Sequence, residues 1–190
     1  MKLMFTDIRR KQQNYVLVQR FFNQVVKVLL QHGTIAVMFY RFGHCCTLMP
    51  VPVRLPFELV HALMAPLVKL LTGIYINPRQ TIGGGFVIHN FSNVHIDCAH
   101  IGKNLTINQG VYIGKGALSK DKPSIGNNVY VGAGAKIIGK VRIGDNAIVA
   151  ANSCIIKDVP DCCLVSGVPG VLISRTITSD YVQRGKPHNK

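Results

Sequence analysis

A short aliphatic residue returns every six positions from the middle of this chain almost to its end. Ile76, Ile82, Ile88 and Val94 stand on one grid. Ile101, Ile107, Ile113, Ile125, Val131, Ile137, Ile143, Val149 and Ile155 stand on a second, displaced by one residue. The next residue is mostly small or turn-prone (Gly83, Gly102, Gly126, Gly132, Gly144, Ala150). The fourth after the aliphatic is small or β-branched (Ser92, Cys98, Val111, Ala117, Val129, Ala135, Val141, Ala147, Ser153). A helix would repeat at about 3.6 and a half-buried strand at about 2. A period of six beside a glycine describes a flat face ending in a corner, and three such faces close one coil. The grid aliphatics then stack inside a prism, and each coil buries its core only against its neighbours. The spacing predicts a parallel β-helix of four to five coils from residue 74 to about 170.

Ahead of the repeats, Val18, Phe21, Phe22, Val25, Val26 and Leu29 recur at helical spacing. Further helices are expected over roughly 35–47 and over 56–72, where Gly73 stops the second. This gives an α-helical segment over 1–73, the β-helix over 74–173 and a basic tail over 174–190. The run from 55 to 72 is apolar, but Glu58, His61, Pro66 and Lys69 interrupt it and it is short for a membrane span. A buried or interfacial helix is expected there, serving core packing, oligomer contacts or membrane-surface docking. Between Ile113 and Ile125 the spacing is twelve, so one repeat carries about six extra residues within GKGALSKDKPS. Because Ile101 and Ile125 stay in phase, this excursion leaves the prism and returns without disturbing it, which is where repeat proteins place function.

Lys and Arg number 22 against 8 Asp and Glu, a formal charge of +14. The excess favours anionic partners such as coenzyme phosphates or an acidic membrane face. Nucleic acid is not expected, because the basic residues are dispersed and no binding motif accompanies them. Cys45-Cys46 and Cys162-Cys163 are adjacent pairs, Cys98 and Cys154 fall at or beside interior positions, and no metal spacing links the six. Reduced thiols in a cytoplasmic protein fit this pattern. The opening MKLMFTDIRRK lacks the apolar core of a signal peptide.

The runs INPRQTIGGGFVIHN, IGKNLTINQGVYIG and SIGNNVYVGAGAKIIGKVRIGDNAIVAANSCIIKDVPDCCLVSGVPG resemble the hexapeptide-repeat acyltransferases. Within them the serine acetyltransferase branch is the most similar, especially its shorter members linked to exopolysaccharide and capsule synthesis. The resemblance implies a left-handed coil, acetyl-CoA as acetyl donor, no metal and a homotrimer, with a dimer of trimers as a further step. It places the coenzyme along small-residue corners, at Gly114, Ala133 and Ala151, with Lys157 and the closing Gly167-Val168-Pro169 nearby.

Acetyl transfer to a hydroxyl needs a base near neutral pKa, which histidine supplies. Family members carry an Asp-His pair, with a second aspartate some fifteen residues earlier. An ungapped match puts His89 and Asn90 on the pair and Tyr75 on the earlier aspartate. Anchoring instead on IGKNLTI slides His89 onto the base. His89 is therefore the expected catalytic base and Asn90 the expected acceptor contact, ahead of His95 and His100. The family's arginine and histidine for the serine carboxylate fall at Asp121 and Lys122, so substrate contacts are expected there without a bidentate guanidinium. That loss points to a hydroxyl of a carbohydrate or surface-polysaccharide precursor as acceptor, with free serine as the alternative. A zinc carbonic anhydrase-like site using His95 and His100, five apart, and a non-catalytic scaffold are the remaining readings.

Overall fold

A computed structural model describes residues 4, 6–8, 31–90, 92–116 and 120–175. The stripe from Val18 to Leu29 and the basic tail beyond residue 175 lie outside the described residues. Among the described residues, the helices α1 (His32–Thr47) and α2 (Val51–Thr72) precede fifteen short strands, and residues 4 and 6–8 are also helical. Both helices begin earlier than their apolar patterns suggest. Pro52 sits in the first turn of α2, where its missing N–H leaves no bond unmade. Gly73 ends α2 in the left-handed conformation (φ 64°) and returns its N–H to the Lys69 carbonyl. Pro56 and Pro66 lie inside this helix and do not end it.

The strands pair in parallel around three faces. Face A stacks β1 (Ile74–Ile76), β4 (Val94–Ile96), β7 (Tyr112–Gly114), β10 (Lys136–Ile138) and β13 (Cys154–Ile155). Face B stacks β2 (Thr81–Ile82), β5 (His100–Ile101), β8 (Ser124–Ile125) and β11 (Arg142–Ile143). Face C stacks β3 (Val87–Ile88), β6 (Thr106–Ile107), β9 (Tyr130–Val131), β12 (Ile148–Val149) and β14 (Leu164–Ser166), and the antiparallel β15 (Val171–Ser174) closes its end. Ile82, Ile88, Ile101, Ile107, Ile113, Ile125, Ile137 and Ile143 are all essentially inaccessible to water. Each such side chain contributes about 1.5–3 kcal/mol relative to exposure.

The grid slips once. Ile96, and not Val94, continues the face A column between Ile76 and Ile113. The corner from Ile88 to Ile96 therefore spans eight positions, two more than the period. Ser92 (φ 105°) and Asn93 (φ 51°) turn this corner and are exposed, so Ser92 is not the interior filler that the six-residue count predicts. The next interval, Ile96 to Ile101, is one residue short, which brings the second grid into register.

The corner between faces B and C holds a ladder that the apolar count did not reveal. Asn104, Asn128, Asn146 and Cys162 occupy equivalent positions with φ of 55–60°, a region asparagine tolerates better than most residues. Asn104 Nδ2 donates to Asn128 Oδ1 (2.8 Å) and Asn128 Nδ2 to Asn146 Oδ1 (3.1 Å). One position earlier, Asn127 Oδ1 accepts from Lys103 N–H, Asp145 Oδ1 from Asn127 N–H, and Asp161 Oδ1 from Asp145 N–H. A side chain at Gly102 would collide with the Gly126 carbonyl, its Cβ lying 2.6 Å away.

A buried ion pair fastens α1 to the first coil. Arg41 Nε lies 3.0 Å from Asp7 Oδ2, and its terminal nitrogens donate to the carbonyls of Ile82 and Gly83 (2.6 Å each). Asp7 Oδ1 accepts from Phe86 N–H at 2.9 Å. The neighbouring Tyr40 hydroxyl donates to the Gln80 carbonyl, and burial pushes its pKa up to about 12. Removing one member of such a pair strands the other charge in the interior. Arg41→Ala is expected to cost about 3–5 kcal/mol, read as a lower urea midpoint with unchanged slope; an unaltered midpoint would contradict this role.

Candidate active site

Face A carries the chemistry. Alternation along its strands turns Ile76, Ile96, Ile113 and Ile137 inward and the preceding residues Tyr75, His95, Tyr112 and Lys136 outward. The His95 imidazole lies between the two tyrosine rings, with centroids 4.8 Å from Tyr75 and 5.0 Å from Tyr112 and planes within 18° of parallel. Burial depresses the His95 pKa below the usual imidazole value; Lys69 on α2 adds to this and Asp97 opposes it. The ring is therefore held toward its neutral, proton-accepting form.

Asp97 follows β4 on the same side of the face. It accepts from Lys122 Nζ at 2.7 Å and from Asn77 Nδ2 at 2.8 Å. Burial pushes this carboxyl up, but the Lys122 and Asn77 hydrogen bonds and the Lys122 charge outweigh it and hold the pKa below the ordinary carboxylate value. The excursion after β7 thus returns over face A through Lys122, whereas Asp121 beside it is exposed. Next to Tyr75, a cavity of about 340 Å³ opens between α1, α2 and β1, lined by Phe39, Tyr40, His61, Lys69 and Ile76 among others.

Of the residues singled out from the sequence, His100 stands on face B and the others border face A, on two different edges. His89 and Asn90 lie on the corner that leads into β4, Ala133 on the corner into β10 and Ala151 on the corner into β13. His89 is half-buried and its N–H donates to the Ile107 carbonyl; Asn90 Nδ2 donates to Gln109 Oε1 at 3.0 Å. Directly beneath them stand Asn108, whose Nδ2 donates to the Tyr130 hydroxyl, and Gln109; in the next two coils the same two positions hold only Gly132 and Ala133, then Ala150 and Ala151. A Cβ on Gly132 would come within 2.5 Å of Ala151 N, so adjacent coils approach closely there. Lys157 is exposed on the opposite edge. Gly114 is buried, and a Cβ there would meet the Tyr112 hydroxyl at 3.1 Å, so the chain's own tyrosine accounts for its small size.

Asp97, Asn77, Tyr112 and Gln109 were not foreseen. Tyr112 stands just before the grid residue Ile113 and Asn77 just after Ile76, outward positions that counting aliphatics does not weigh, while Asp97 follows Ile96, which the grid of six omits. His95 and His100 do not share a surface: one stands on face A and the other on face B. Among the described residues no group of three or more His, Cys, Asp or Glu is placed to hold a metal ion.

Residues 122–157 match the bacterial transferase hexapeptide (six repeats) family. The serine acetyltransferase of Bacillus subtilis is 31% identical over 162 residues, covering 84% of this chain and 68% of that protein. That of Synechococcus elongatus is 35% identical over 157 residues, covering 81% and 62%. The solved structure of Neisseria gonorrhoeae serine acetyltransferase in complex with serine superposes with a TM-score of 0.74 at 25% identity, covering 91% of this chain and 68% of that one. The chain belongs to the hexapeptide-repeat acyltransferases, among relatives named serine acetyltransferase, and is an acetyl-CoA-dependent O-acetyltransferase. These relatives correct the expectation of a carbohydrate or polysaccharide acceptor, which rested on the missing arginine at Asp121 and Lys122.

Lys122→Met should raise the Asp97 carboxyl pKa, measured by NMR titration; no change would show that the pair does not form in solution. The stabilisation from this pair is present above the unfolded aspartate value of about 3.9 and is lost as pH falls through the depressed folded value.

Proposed function

We propose that this chain transfers the acetyl group of acetyl-CoA to the hydroxyl of serine. The observation that carries the reading is the Asp97–Lys122 pair beside the His95 face. An amino acid presents an ammonium and a carboxylate a few bonds apart, and a paired carboxylate and ammonium on the protein match both. Lys122 replaces the bidentate fork of an arginine with a single point charge. The names of the relatives and the serine complex of the Neisseria structure support the same acceptor.

In this reading His89 takes the hydroxyl proton as the serine oxygen attacks the thioester carbonyl. The carbon–sulfur bond breaks, the coenzyme leaves as a thiolate that takes up a proton, and O-acetylserine forms. Asn90, fixed by Gln109, orients the acceptor. The nearly bare corner at Gly132, Ala133 and Ala151 is the fit for the coenzyme's pantetheine arm, since backbone approaches a ligand closely only where side chains are minimal. Lys157, expected from the sequence to meet the coenzyme, stands across face A from this corner and does not line the groove of its own chain. An isolated prism offers one side of that groove, and cyclic association into a homotrimer completes three equivalent sites. The cytoplasm is the setting, supported by six cysteines that are all free.

His95 is the second reading of the base, favoured by its stacking between two tyrosines and its depressed pKa. The two are separable. If His89 is the base, His89→Ala should lower turnover with serine by roughly 10²–10⁴ while leaving acetyl-CoA affinity nearly intact. If His95→Ala alone has this effect, the base is His95. No thiol release from acetyl-CoA in the presence of serine would remove serine as acceptor. Light scattering should give a mass of three chains or a multiple of three, and a monomer at micromolar concentration would sink the shared-groove model.

A further inference from the structure

Helix α2 is built inside out. Its less exposed positions are Arg54, Glu58, His61, Ala65, Val68 and Thr72, spaced 4, 3, 4, 3 and 4, so they form one helical stripe. That stripe holds two charges, an imidazole and a hydroxyl, and Arg54 and Glu58 pair across it at 2.8 Å. It faces the protein, where His61 stacks on Phe39 of α1 (centroids 4.2 Å apart) and Gly73 leads directly into β1. The remaining surface is almost wholly apolar. Leu59 is 62% exposed, Leu63 68%, Leu70 82% and Leu71 63%, with Lys69 as the one exposed charge on the helix. A helix bordering water places its apolar stripe inward and its charges outward. This one does the reverse, which specifies an apolar surrounding for its outer surface.

We propose that the outer surface of α2 docks on an anionic lipid bilayer, with the helix lying in the plane of the membrane. Three observations favour lipid over a second copy of the chain. The apolar arc takes in most of the helix circumference, whereas a helix packed against a partner buries one stripe. Residues 1–73 carry nine Lys and Arg against two Asp and Glu, complementary to acidic headgroups. Lys69 has the flexible stem that lets a charge reach the headgroup layer from an apolar surface. The helix is long and apolar enough to cross a membrane, but its polar stripe packs on α1 and its end is tied to the prism through Gly73. An in-plane orientation satisfies both. It also brings the head of face A, at Tyr75, close to the lipid surface.

Flotation of the full chain with vesicles tests this. Vesicles of phosphatidylcholine with about one third phosphatidylglycerol should carry the protein up the gradient. Pure phosphatidylcholine should bind at least about tenfold less, and added salt should release the protein, as screened headgroup attraction requires. Leu63→Glu with Leu67→Glu, both on the exposed arc, should abolish flotation while leaving acetyl-CoA affinity unchanged, which separates lost docking from lost folding. Arg142→Glu, on face B and remote from α2, should float like the parent chain. Absence of flotation by the parent chain, or flotation unaffected by the Leu63/Leu67 pair, would overturn the proposal. So would a fall in oligomer mass in the Leu63/Leu67 variant without loss of vesicle binding, which would assign the surface to a second copy.

Discussion

Close approach of one coil's backbone to the next is the constraint on which this structure rests. The interior isoleucines are dry only because the coils are stacked without a gap, and the stacking is possible only where corners carry no obstructing side chain. Gly102 beneath Gly126 and Gly132 beneath Ala151 mark two such places. The corners solve the same problem in different ways. Between faces B and C, asparagines and aspartates fill the column and bond from coil to coil, which fixes the register. Along the edge of face A that begins at His89, small residues leave the column open in the coils beyond Asn108 and Gln109. Rigidity on one side and a bare groove on the other follow from which residues stand one to three places after each grid aliphatic.

The site depends on that asymmetry. Face A gathers an outward column of Tyr75, His95 and Tyr112, a carboxylate held in its charged form by Lys122, and an edge of small residues suited to an extended ligand. The extra residues between Gly114 and Ser124 serve it by returning Lys122 over Asp97 without breaking the pairing of β5 with β8. The helical segment meets the same face at its first strand, so any surface that α2 engages lies next to the site.

The coil was legible in the sequence because stacking demands strict periodicity, and the six-residue spacing has no other economical reading. The excursion was legible because the grid resumed in phase. What the spacing concealed was the eight-residue corner from Ile88 to Ile96: Val94 is inside as the count of six has it, but Ile96 is the residue that aligns with Ile76 and Ile113, so the count does not stack His95 between Tyr75 and Tyr112. Asp97 was lost with it. The asparagine ladder was present at the third position after Ile101, Ile125 and Ile143, but apolar counting does not weigh polar columns. For α2, interrupting charges suggested a buried or interfacial helix; the structure corrects burial, since only Thr72 of its residues is buried, and Arg54 and Glu58 lie on its inner stripe while Lys69 is exposed. The acceptor was misjudged because a missing arginine was read as a missing carboxylate site, whereas Lys122 is present there and paired.

The central claim is that coenzyme and acceptor meet on face A. Backbone amide chemical-shift mapping on titration with coenzyme A tests it most directly. The account predicts shifts concentrated at Gly132–Gly134, at Ala150–Asn152 and along Tyr112, with the asparagine corner at Asn104, Asn128 and Asn146 unmoved. Shifts confined to face B or to that asparagine corner, with face A silent, would contradict it.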